Sequence, residues 1–194
     1  MKALRHPIIG ALLLLAGQPS RADEEKPRVI ESPGQALSIR QEDTGGFKET
    51  LLFADKDLKP VELEKGGFPW PAVYHFAPDE KTVLRTQKTG SGENVVMLYL
   101  IGQNGRVEEV PGFNDGLWKL ADSVSPIKKK DLYHTGVSRA SWAVDSSTLE
   151  LVVRGSDARE SGTGIEFPIT YDLKTKTFRL TPSPAVPAKS SSKQ

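Results

Sequence analysis

The chain has 194 residues, no cysteine, and 26 basic against 25 acidic side chains, for a formal net charge of +1. Absence of cysteine excludes disulfides and a lipid anchor on cysteine, and the interspersed, balanced charge excludes the basic stripe that nucleic-acid binding requires. A core must hold the fold unaided, and the length suffices for one domain with a sizeable one.

Lys2 and Arg5 precede an apolar run from Pro7 to Gly17, and Gln18-Pro19-Ser20-Arg21-Ala22 supplies small residues of the kind a signal peptidase reads. This layout predicts a secretory signal over residues 1–22, cleaved after Ala22, and places the mature chain in a bacterial periplasm or outside the cell. The apolar run covers only eleven residues, whereas a spanning helix needs roughly 20, so no membrane span is expected. Loss of Lys2, Arg5 and Arg21 with the signal takes the net charge from +1 to −2. Residues 23–29 are expected to form a flexible leader to a single β domain over residues 30–181.

Within that domain the chain repeats itself. Ser32-Pro33 and Arg40-Gln41-Glu42-Asp43-Thr44-Gly45 return in one register as Ala77-Pro78 and Arg85-Thr86-Gln87-Lys88-Thr89-Gly90. A period in the forties is the signature of stacked β-sheet units, and three are expected, over residues 30–63, 73–110 and 140–181. Between the first two lies Phe68-Pro69-Trp70-Pro71. Such a group commonly fills the seam between sheets; exposed, Trp70 is a candidate contact for a sugar or a partner chain.

In the second unit, Asn94 to Ile101 is an apolar run bounded by glycines, which reads as a strand covered on both faces. Asn104-Gly105 then predicts a tight type I′ hairpin turning into Val107–Val110. Residues 114–125 break the β pattern. Asn114 or Asp115 is the expected cap of a short helix presenting Leu117, Leu120, Ala121 and Val124 on one face, ended by Pro126 and covering a sheet edge. Lys128-Lys129-Lys130 reads as a solvated edge, and Asp131 to Gly136 as a loop holding His134.

The third unit contains strands at Thr148–Arg154, Ile165–Leu173 and Phe178–Leu180. Pro168 lacks a ladder donor, so its end of the strand belongs at an edge or bulge. Residues 182–194, mostly Pro, Ala, Ser and Lys, bury too little apolar area to order themselves and are expected to form a disordered tail.

Phe76-Ala77-Pro78-Asp79-Glu80-Lys81 and Trp142-Ala143-Val144-Asp145-Ser146-Ser147 open the second and third units with an aromatic, a small residue and an Asp turn. Here the chain resembles the TolB-like repeats of bacterial β-propellers, whose blades open in this way and close as Ile169 to Thr181 does. Glu80 and Ser146 stand where that pattern has a turn glycine, Val144 stands for its proline, and the first unit lacks the leading aromatic. The resemblance implies an all-β fold of antiparallel blade-like sheets with one inserted helix. A closed propeller takes about 4 to 8 blades, so three units imply an open, sandwich-like stack or a homo-oligomer in which two chains complete a ring.

Chemistry is sparse in this sequence. No Gly-x-Ser-x-Gly elbow, His-Glu-x-x-His or calcium loop occurs; Asp55-Lys56-Asp57 lacks the glycine and the terminal Glu of the last. No catalytic residue, metal site or cofactor is assigned. Three Gly-rich loops, at residues 42–48, 88–93 and 156–164, hold equivalent places in the units, and equivalent loops in repeat folds share one face. Thr44, Gly45, Thr89, Gly90, Ser91, Gly92, Asp157, Arg159 and Glu160, with Trp70, are the expected contacts for a protein partner in the periplasm. Two further readings stay open. Thr89-Gly90-Ser91-Gly92 resembles the Ser-Gly loop of periplasmic lysozyme inhibitors, implying inhibition of a cell-wall hydrolase, and His134 offers the base of a small hydrolase.

Overall fold

The computed structural model describes residues 26–160 and 162–181. The expected signal peptide and tail lie outside the described residues.

Three four-stranded antiparallel meanders make up the fold. Unit 1 comprises β1 (Arg28–Glu31), β2 (Leu37–Asp43), β3 (Phe47–Phe53) and β4 (Val61–Lys65); unit 2 comprises β5 (Val73–Phe76), β6 (Thr82–Lys88), β7 (Asn94–Ile101) and β8 (Val107–Glu109). Unit 3 comprises β9 (Leu132–Trp142), β10 (Thr148–Asp157), β11 (Gly164–Asp172) and β12 (Thr177–Leu180). A helix, α1 (Phe113–Val124), connects units 2 and 3.

Period-two alternation decides which side of each sheet is buried. Leu37, Ile39 and Leu51 of unit 1 pack with Tyr74 and Val83 of unit 2. On the opposite face of unit 2, Leu84, Val96 and Leu98 pack with Leu149, Leu151, Val153 and Ile169 of unit 3. Unit 2 is therefore the middle layer, apolar on both sides, as the run from Asn94 to Ile101 led one to expect. Helix α1 closes the second seam at the rim by burying Phe113, Leu117, Trp118 and Ala121.

The repeat carries through to atomic detail in the turn between the first and second strands of each unit. Gln35, Glu80 and Ser146 donate their N–H groups to the carbonyls of Ser32, Ala77 and Ala143 at 3.0, 2.9 and 2.9 Å. All three adopt positive φ, at 60°, 57° and 59°, a region in which glycine is the unstrained choice. Here the non-glycine side chains have work that glycine lacks. Glu80 accepts the N–H of Gly34, one unit earlier, at 2.7 Å, and Ser146 accepts the N–H of Asp79 in the same relation at 2.9 Å.

Several expectations are corrected. The leader does not run to residue 29, because β1 starts at Arg28 and pairs it with Gln41. Unit 3 begins at Leu132 rather than Ala140, and His134 lies in β9 rather than in a loop, at a bulge where the pairing slips between Arg154 and Ser156. Helix α1 has Gly112, not Asn114 or Asp115, at its N-cap with no side-chain cap; Asn114 instead accepts the N–H of Val96. Val124 is exposed, while Trp118 joins the buried stripe. The lysine run is not merely solvated: Lys128 donates to the carbonyl of Ser125 at the helix end, and the Lys129 ammonium lies 5.0 Å from the centre of the Trp118 ring. Finally, the turn at Asn104-Gly105 is not type I′. Gly105 alone has positive φ, 73°, in a longer turn closed by Gly102 N–H donating to Arg106 at 2.8 Å.

Pro168 fits its expected place. Its carbonyl faces β12, accepting from Thr181, and β12 ends opposite Ile169, so the missing N–H falls where the ladder has stopped.

Candidate functional site

In a four-stranded meander the hairpin between the second and third strands points opposite to the other two. The β2–β3, β6–β7 and β10–β11 hairpins are the three Gly-rich loops, and contacts across the units join them at one end of the stack.

Loop 1 turns on Gly45 at φ 88°, with its N–H donating to Asp43 at 3.0 Å. The Thr44 hydroxyl donates back to the Gly46 carbonyl at 3.1 Å. Gly46 lies hard against the backbone of Gly66, whose carbonyl oxygen a Cβ would strike. Phe47 donates to the carbonyl of Phe68 at 2.8 Å, which seats the Phe68–Pro71 segment beside the loop. That segment divides its roles. Phe68, half-buried, lies over the buried Arg85 guanidinium at 5.6 Å, whereas Trp70 stays exposed with the Lys88 ammonium 4.4 Å from its ring centre.

Lys88 begins loop 2, which carries Thr89, Gly90, Ser91 and Gly92; Thr89 donates to Glu93 at 3.1 Å across its base. Thr89, Ser91 and Gly92 are exposed. At Gly92, φ 75°, the His134 ring occupies the space that a side chain would take. Below it, Asn94 imitates a strand partner. Its amide donates to the Val137 carbonyl at 3.1 Å and accepts the Val137 N–H at 2.8 Å, tying unit 2 to unit 3.

Loop 3 is organised from within. Asp157 is buried, its carboxylate accepting from the Arg159 backbone at 2.8 Å and from the Arg159 guanidinium at 3.2 and 3.3 Å. These hydrogen bonds hold the Asp157 carboxyl below its ordinary value and raise that of Arg159. Asp157 is thus the strut of the loop, with Arg159 and Glu160 outermost; Ser161 is not described. A cavity of about 530 Å³ opens between loops 2 and 3, lined by Gly92, His134, Arg154, Ser156, Thr163 and Glu166. His134 packs edge-on to Tyr133 at 4.4 Å. Among the described residues it makes no side-chain hydrogen bond to Ser156 or Glu166. Nor does a cluster of three or more metal-ligating side chains occur among the described residues.

Behind this end, a buried polar network locks unit 1 to unit 2. The Glu49 carboxylate, fully buried, accepts from Gln41 at 2.7 Å, Ala72 N–H at 2.8 Å, Tyr74 hydroxyl at 2.6 Å and Arg85 at 2.7 Å. Burial, then the neighbouring Glu49 charge, drives the Tyr74 phenol far above its ordinary value. Arg85 also donates to Gln87 at 2.6 Å, and Gln87 holds the carbonyl of Trp70 at 3.1 Å. Sequence reading missed Glu49 and Asn94, since the partners that give them meaning are distant in the chain.

No protein-family model and no curated protein matches the sequence. Among solved structures, the chain is similar to the tricorn protease, with a TM-score of 0.50 at 9% identity over 84% of this chain and 14% of that one. TolB from Acinetobacter baumannii matches with a TM-score of 0.40 at 15% identity, over 78% of this chain and 31% of that one. The chain thus spans well under half the length of either. The fold defines the class: an all-β, propeller-like stack of three blade-like sheets. Among the described residues no helix is long and apolar enough to cross a membrane.

Proposed function

We propose that this is an exported binding protein that contacts a protein partner in the periplasm through its hairpin end. The observation that carries the reading is the junction of the three hairpins: loop 1 to the Trp70 segment, Trp70 to Lys88, and loop 2 to loop 3 around His134. The end so formed mixes an exposed aromatic, short hydroxyls, glycines that permit close backbone approach, and opposite charges at Arg159 and Glu160. That composition suits protein recognition, where an aromatic or arginine anchor is surrounded by adaptable polar contacts. The cavity between loops 2 and 3 gives a partner side chain a place to insert.

The test is affinity capture from periplasmic extract by two forms of the protein, one native and one with residues 157–163 replaced by a short turn. Retention of one partner by the native form, and its loss from the shortened form at an unchanged melting midpoint, is expected. Equal retention by both refutes a role for the longest loop.

A further inference from the structure

The turn relay that joins the units leaves a matched pair of groups at the two ends of the stack. At each internal seam the positive-φ residue of the later unit accepts an N–H from the turn of the earlier one: Glu80 from Gly34, and Ser146 from Asp79. Unit 3 presents the next donor in the series, the N–H of Asp145, and unit 1 presents the preceding acceptor, the side chain of Gln35. Gln35 already holds the required backbone, with φ 60° against 57° and 59° in its counterparts. Beside Asp145, Val144 is 95% exposed, an apolar side chain left bare at that turn.

The open sheet faces continue the same register. Arg40 follows Gln35 by the interval at which Arg85 follows Glu80, and Arg85 is the residue that crosses a seam to a carboxylate of the preceding unit. Ser38, Arg40 and Glu42 form the outer side of β2, since Leu37, Ile39 and Gln41 are buried on the other. On unit 3, the exposed Glu150 and Arg154, with Val152 buried between them, alternate with Leu149, Leu151 and Val153, which are buried against unit 2. A hollow of about 530 Å³ on that face is lined by Arg139, Ser141, Glu150, Val152, Glu166 and Pro168. It offers two carboxylates on the side where Arg40 of a following unit would enter.

We propose that unit 1 of a second copy of this chain docks on the open face of unit 3, and that two copies related by a two-fold axis close a six-unit ring. Six falls within the range of closed propellers, and a two-fold arrangement satisfies both seams at once. Because both faces are charged rather than apolar, the association is reversible and weakens with salt. This inference is independent of the hairpin-end reading, as the seams lie on the sheet faces.

Sedimentation equilibrium of the purified protein over a concentration series, at low and high salt, tests it. The expected mass at low salt is twice that of the chain, falling towards one chain as salt rises. Arg40→Glu alone, and Glu150→Arg with Glu166→Arg in a second variant, should each weaken dimerisation at least about tenfold. Mixing the two variants should restore it, since each then meets a complementary face at both seams. A single-chain mass at every concentration overturns the proposal, with the polar faces simply ending the stack. Assemblies larger than two, or variants that dimerise unchanged, overturn it as well.

Discussion

Glu80 shows how a residue that breaks a sequence rule can carry a structural reason. Positive φ ordinarily makes glycine the better residue, but Glu80 trades local strain for a hydrogen bond to Gly34 across a seam. The expected outcome inverts the usual helix and strand ranking of alanine over glycine: Glu80→Ala keeps the strain and loses the bond, destabilising by about 1 to 3 kcal/mol, while Glu80→Gly recovers part of that. Chemical denaturation of the three proteins measures it. Gly105 is the opposite case. At φ 73°, with Leu58 side-chain atoms 3.3 Å from the place a Cβ would take, Gly105→Val should destabilise by about 1 kcal/mol or more. His75 supplies a pH signature. Burial lowers its pKa from the ordinary 6.5, so the unfolded chain takes up the proton first as pH falls. Its contribution is therefore full above about pH 6.5 and is lost as pH drops towards the folded value. Melting midpoints measured between neutral and mildly acidic pH should show a decline that is shallower in His75→Gln.

At the scale of elements, the seams matter more than the sheets. Each meander is built from local hairpins, but register between units depends on a few polar bridges, chiefly Glu49–Arg85 at the first seam and Asn94–Val137 at the second. Removing one partner of a buried ion pair strands the other, so Arg85→Ala should cost about 3 to 5 kcal/mol, far more than truncating an exposed pair such as Arg106–Glu108. Differential scanning calorimetry of Arg85→Ala beside Arg106→Ala makes the comparison. Elements were legible in the sequence where their signal is local. The Asn94–Ile101 strand, the three positions of the Gly-rich hairpins, and the presence of a helix that Pro126 follows were read correctly because period and flanking glycine or proline lie within a few residues. His134 was misplaced because its strand is held by pairing with β10 across a bulge, and its neighbour Gly92 comes from another unit. The helix start was misread because tertiary contacts drew Asn114 to Val96 and left Gly112 at the cap.

At the scale of the whole molecule, the repeat fixed the number and order of blade-like units, since self-similarity survives where individual residues diverge. What it withheld is which surface works. Equivalent loops imply a shared end, but whether an end binds anything depends on a partner that the sequence does not contain. Export belongs to the same scale: if residues 1–22 form a cleaved signal, N-terminal sequencing of protein recovered from the periplasm begins at Asp23, and an intact Met1 start in the membrane fraction contradicts it. The central claim, that the hairpin end is the binding end, is tested most directly by site-specific photo-crosslinking in periplasmic extract. A probe is placed in turn at Trp70, Thr89 and Arg159 on that end, and at Lys56, Asn104 and Lys174 in turns of the opposite end. Adducts of one common partner from the first three positions and none from the others are predicted; adducts confined to Lys56, Asn104 and Lys174 would contradict the account.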